Sequence, residues 1–76
     1  MPSAYLAVHT AAGTSPDVKK ALADIDEVTE AHVVAGNYDL IVELEAERTS
    51  DLLPIVTRKI QEIEGVGASR TYIVLD

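Results

Sequence analysis

Cysteine is absent from the 76-residue chain, which excludes disulfides, thiolate chemistry and cysteine-ligated metal sites. Phenylalanine and tryptophan are absent as well, so three tyrosines are the only aromatics. A core has to come from aliphatic side chains, and 47% of the residues are hydrophobic, mostly Val, Ile, Leu and Ala. Basic residues are few, six Lys and Arg against thirteen Asp and Glu, for a net charge of -7. Nucleic-acid affinity rests largely on Lys and Arg displacing counterions. Lys19, Lys20, Arg48, Arg58, Lys59 and Arg70 are scattered rather than gathered in a stripe, so direct nucleic-acid binding by this chain is not expected. No long apolar run occurs, and MPSAYLAV offers no basic start. Neither a membrane span nor a signal peptide is read, and a soluble cytoplasmic protein is expected. The length allows one domain, residues 1–76. A chain this short hides a small share of its surface, so its apolar content suggests a domain that completes its core against a copy of itself.

What is present is periodic. AYLAVHT, residues 4 to 10, reads as a strand with Leu6 and Val8 on one face and Tyr5, Ala7 and His9 on the other. Ser15-Pro16-Asp17 reads as a helix start, with Ser as N-cap, Pro at the first helical position and Asp favoured by the dipole. Val18, Ala21, Leu22 and Ile25 then give one apolar face to about residue 26. Residues 30 to 35 and 39 to 46 form two extended runs. In the second, Leu40, Val42 and Leu44 alternate with Ile41, Glu43 and Glu45. Thr49-Ser50-Asp51 restarts a helix with Leu52, Val56, Ile60 and Ile63 on its apolar face, although Pro54 removes one early backbone bond. Gly65 is expected to stop that helix, and TYIVL forms the fourth strand.

The element order is β-α-β-β-α-β. Val18, Leu22, Ile25 and Val28 recur at a constant offset as Val56, Ile60, Ile63 and Val66, and Pro16 and Pro54 share that offset. Two similar halves fit the α+β ferredoxin-like sandwich, a four-stranded antiparallel sheet with both helices on one face. The other sheet face then keeps apolar residues, and exposed patches of about a few hundred Å² usually mark an interface. A dimer stacking sheet on sheet, a dimeric α+β barrel, is the expectation.

Chemistry-bearing residues are sparse. His9 and His32 lie in strand-like runs without HxH or HExxH spacing, and packed or rim positions are the simpler account than a metal or proton-transfer site. Ser3, Ser15, Ser50 and Ser69 lack a nucleophile-elbow context, and Ser15 and Ser50 read as caps. Gly13 stands without the second glycine or GK[ST] of a phosphate loop. No catalytic residue, metal or cofactor is assigned. The remaining constellation is Gly36, Asn37, Tyr38 and Asp39 between the second and third strands, with Ser69 and Thr71 at the start of the fourth. Asp39 would take an ammonium group, and backbone amides and hydroxyls a carboxylate, which together suit a zwitterion. Gly, Asn and Asp are also standard turn residues, so a plain hairpin turn explains the same letters.

AYLAVHT, then GNYDLIVEL with its Gly-x-Tyr-Asp turn, then IEGVGASRTYIVL together resemble the effector-binding (RAM) domain of the Lrp/AsnC regulators. The likeness covers residues 4 to 75. Glu64-Gly65 replaces the family's common Pro-Gly, and Ser69 replaces the first Thr of Thr-x-Thr. Regulators of this family carry an N-terminal helix-turn-helix and linker, whereas this chain enters its first strand by residue 4, so the likeness is to the stand-alone form. The resemblance implies a ferredoxin-like dimer, often assembled into rings of dimers, with amino acids bound between dimers. Carried over by motif, Gly36, Tyr38 and Asp39 form one wall of that site, with Ser69 and Thr71 near it. It implies a regulatory module that acts on transcription indirectly, through full-length Lrp/AsnC-type regulators. A small cofactor-free enzyme of the dimeric α+β barrel type, a monooxygenase or isomerase, shares the same architecture. It would need a pocket lined by Tyr5, His9 or His32. An ACT-type regulatory domain has the same element order, but AAGTS poorly matches its Gly-rich loop.

Overall fold

Alternation of apolar and polar residues becomes four strands in the computed structural model, which describes residues 1–76. They are β1 (Ser3–Thr10), β2 (Val28–Val33), β3 (Leu40–Glu45) and β4 (Val66–Ile73). Helix α1 (Ser15–Ala23) links β1 to β2, and α2 (Thr49–Ile55) continues as a π-helical stretch, Val56–Ile60, before β4. The strands form one antiparallel sheet in the order β2-β3-β1-β4. This is the expected ferredoxin-like layout.

Cross-strand partners share a sheet face, so the register assigns every side chain. Ala4 pairs with Leu44, Leu6 with Val42 and Val8 with Leu40. All six are fully buried, together with Val18 and Leu22 of α1, Leu52 of α2 and Ile60. At about 1.5–3 kcal/mol for each large aliphatic side chain removed from water, this layer holds the helices to the sheet. The internal echo has a physical basis. Val18, Leu22, Val56 and Ile60 are buried at corresponding places, and Ile25, Val28, Ile63 and Val66 pack at the core margin.

Four local expectations are corrected. Ser15 is the first helical residue rather than the cap: Thr14 holds that position, and Ser15 Oγ lies 2.7 Å from Thr10 Oγ1 instead. Ser50 likewise lies within α2, whose N-cap is Arg48 without a side-chain bond. Gly65 does not end the helix, which stops at Ile60; it turns the chain into β4 at φ +97°. A Cβ there would meet Thr14 Oγ1 at 2.9 Å, and its carbonyl accepts the Ala11 N–H at 2.8 Å. Finally, β4 begins at Val66, before the apolar TYIVL run, because Ser69 pairs with Val8 and Val66 with Thr10 across a register shift that spans Gly67 and Ala68. Pro54 is accommodated inside α2. It has no N–H to donate, and the chain beyond it takes the wider pattern in which the Gln61 N–H reaches the Val56 carbonyl at 2.8 Å.

Candidate functional site

Between β2 and β3 the chain bends through residues 34–39, and Asp39 fixes that bend at both ends. Its carbonyl accepts the Val34 N–H and its N–H donates to the Val8 carbonyl, each at 2.9 Å. Asp39 Oδ2 also accepts the Thr10 N–H at 2.8 Å, beside the register shift between Val8 and Thr10 on β1. The same oxygen lies 3.8 Å from His9 Nδ1, with both side chains about half exposed. One carboxylate therefore ties the loop to the end of β1 and keeps its second oxygen free of a protein partner.

Tyr38 lies over the helix-free face of the sheet. Its ring stacks on His9 with centroids 4.2 Å apart and planes 28° apart, and its hydroxyl accepts from Arg70 Nε at 2.8 Å. Arg70 reaches that face because it pairs with Ala7, whose neighbours Leu6 and Val8 point into the core. Loop, β1 and β4 thus converge on a carboxylate, a phenol, an imidazole and a guanidinium.

Gly36 and Asn37 are exposed at the tip. Gly36 has no positive φ, and a Cβ would find nothing within 4 Å, so neither backbone conformation nor packing within the chain requires a glycine there. Ser69 and Thr71 pair with Val8 and Leu6 and so lie on the helix-covered side of β4. Ser69 Oγ accepts from Gln61 Nε2 at 2.6 Å. Within one chain, then, Tyr38 and Asp39 are brought together with His9, Thr10 and Arg70. The Ser69 and Thr71 hydroxyls stand on the other side of the strand.

Arg70, His9 and Thr10 were missed by sequence reasoning. The signal for Arg70 was available in the period of two: if Ser69 and Thr71 share one face, Arg70 must take the other. His9 and Thr10 depend on the register of three strands, which the letters do not carry.

A cavity of about 590 Å³ lies elsewhere, lined by Glu27, Glu45, Glu47, Asp51, Arg58 and Lys59 among others, and contains no residue of the loop. Lys59 Nζ bonds both Glu27 oxygens at 2.9 Å, and that bond holds the Glu27 carboxyl below its ordinary value of 4.5. The cavity also lacks Tyr5, His9 and His32. Tyr5 instead stands on the helix-free face, its phenol pushed above the ordinary 10.0 by a hydrogen bond to the Glu43 carboxylate and by that group's charge. His32 lies near Glu30 at 3.7 Å, with β3 between its strand and that of His9.

The sequence profile of the Lrp/AsnC ligand-binding domain matches residues 3–76. An uncharacterized HTH-type transcriptional regulator of Pyrococcus furiosus is 35% identical over 60 residues, 79% of this chain and 40% of its own length. The chain thus spans well under half the length of that relative. The crystal structure of a hypothetical protein of Pyrococcus horikoshii shares 37% identity with a TM-score of 0.92, covering 99% of this chain and 90% of that one. The Escherichia coli AsnC structure superposes with a TM-score of 0.91 at 26% identity, over 99% of this chain and 51% of its own.

Proposed function

The chain belongs to the Lrp/AsnC ligand-binding domain family, and from that premise we propose that it is an amino-acid-binding regulatory module that oligomerises. The observation that carries the reading is the 34–39 loop. It holds Asp39 with one carboxylate oxygen anchored to the Thr10 N–H and the other free, beside a glycine that nothing in its own chain requires. The free oxygen suits an ammonium group, and the bare tip at Gly36 lets a second surface approach the backbone closely. The loop has no cavity of its own, so the remaining walls come from other copies. Gly36, Asn37, Tyr38 and Asp39 form one wall. Ser69 and Thr71, on the edge strand β4, supply hydroxyls where dimers meet in a ring-like oligomer.

Dimers form by stacking helix-free faces, on which Tyr5, Ile41 and Tyr72 are 46%, 36% and 59% exposed. Covering such side chains is the main gain available to so small a domain. With a charge of -7, transcriptional control is exerted indirectly, through mixed assembly with full-length Lrp/AsnC-type regulators in the cytoplasm. The test is a thermal-shift and native-mass screen of the proteinogenic amino acids. At least one raises the melting temperature or changes the oligomer size, and Asp39→Asn loses that response. A complete screen without a change in either quantity refutes the reading.

A further inference from the structure

The helix-free face mixes apolar and charged side chains, and the charges are segregated by sign across the sheet. Register places Tyr72 beside Tyr5 and Arg70 beside Ala7. Glu43 and Ile41 follow on β3, then Glu30 and His32 on β2. Arg70 is the only Lys or Arg in any strand. It stands on the edge strand β4, whereas the carboxylates Glu30 and Glu43 stand on β2 and β3 at the other side.

Arg70 and Glu43 have no ionic partner within the chain, and Glu30 has only the His32 ring nitrogen, 3.7 Å away. Arg70 donates to the Tyr38 hydroxyl alone. Glu43 accepts from a neutral donor, Thr29 Oγ1, at 3.0 Å. With β1 between their strands, adjacent strands being about 4.8 Å apart, they cannot easily reach each other across the face. Covering this face would bury a guanidinium and a carboxylate without ionic partners, which is strongly unfavourable. A two-fold stack that lays β4 over β4 worsens matters by setting Arg70 against Arg70. A two-fold stack that lays β4 of one copy over β2 and β3 of the other sets cation against carboxylate twice, once at each side.

Resting on the sheet-stacked dimer proposed above, we infer that Arg70 of one copy pairs with the Glu30 and Glu43 carboxylates of a second copy. This pairing fixes the orientation of the stack and determines which chains the face accepts. Tyr5, Ile41 and Tyr72 supply apolar contact on the same face. Arg70 is held toward the partner by Tyr38, so the ligand loop and the dimer face share one side chain.

Charge exchange tests this. Arg70→Glu leaves the face with carboxylates and no Lys or Arg, and the double variant Glu30→Arg/Glu43→Arg leaves it with three arginines and neither of those carboxylates. Each variant alone loses dimer, its dissociation constant rising about tenfold or more. Mixed in equal amounts, with one chain isotope-labelled, the two give heterodimer in excess of random mixing by native mass spectrometry, because both pairs are restored with reversed sign. Recovery on mixing also shows that neither variant is misfolded. Variants that dimerise as tightly as the wild type, or a mixture that follows random statistics or stays monomeric, overturn the inference. A wild-type chain that is monomeric at micromolar concentration overturns the underlying dimer instead.

Discussion

Replacing Asp39 separates the two tasks assigned to its carboxylate. Asp39→Ala removes the acceptor of the Thr10 N–H, a 2.8 Å bond, and leaves that donor at a partly buried strand end. A hydrogen bond to a charged group contributes about 1.5–3 kcal/mol. The side chain is 45% exposed, so water screens the charge and replaces part of the bond, which puts the loss at about 1–1.5 kcal/mol. For a domain this small, each kcal/mol lowers the melting temperature by about 4–8 °C, giving a drop of about 4–12 °C. Asp39→Asn keeps an oxygen acceptor in the same place and loses only the charge, so its drop is at most half as large. Thermal unfolding at one fixed protein concentration measures both, since dimerisation makes the midpoint depend on concentration. Amide exchange at Thr10 localises the effect: it accelerates in the alanine variant and stays near wild type in the asparagine variant. Equal destabilisation by the two variants, or unchanged exchange at Thr10 in both, refutes the anchoring role.

The two turn glycines are expected to diverge. Gly65→Ala costs about 1–3 kcal/mol, because its φ of +97° and the contact with Thr14 Oγ1 both oppose a Cβ. Gly36→Ala changes stability by less than about 0.5 kcal/mol while weakening any amino-acid response, as read by chemical denaturation beside the ligand screen. Tyr38→Phe retains the His9 stack but frees Arg70 Nε, so the Arg70 side-chain N–H resonance loses protection with a stability loss of about 1 kcal/mol or less. Glu27 gives a pH prediction. Its carboxyl is held below 4.5 by Lys59, so the bond stabilises the fold above the unfolded value and is lost as pH falls through the lower folded value. Lys59→Met therefore removes about 0.2–1 kcal/mol at neutral pH and flattens the acid limb of the stability profile below about pH 4.5.

Much of the fold was legible because it depends on local periods. Leu6 and Val8 alternate with Tyr5, Ala7 and His9, Leu40, Val42 and Leu44 alternate with Ile41, Glu43 and Glu45, and Val18, Leu22, Val56 and Ile60 recur at helical spacing. Such patterns fix which face is buried before any partner is known. The repeat of the two halves supported the element order read from those runs. Boundaries were less legible. Gly65 was read as a helix stop, yet its left-handed φ serves the turn into β4 and a close approach to Thr14. Ser15 resembled a cap, but its hydroxyl meets Thr10 across a loop. A one-dimensional pattern cannot show which neighbour arrives through space.

The candidate site divides along the same line. The sequence by itself determined that Gly36, Asn37, Tyr38 and Asp39 form the turn between two strands, because turn chemistry is local. It also determined that Arg70 opposes Ser69 and Thr71, because side chains alternate along a strand. Only the tertiary structure decided that Asp39 closes on the Thr10 N–H, that Tyr38 lies between His9 and Arg70, and that Ser69 turns toward Gln61. Those contacts join residues far apart in the chain, and they exist only once the β1–β3 and β1–β4 registers are set by burial of the apolar face.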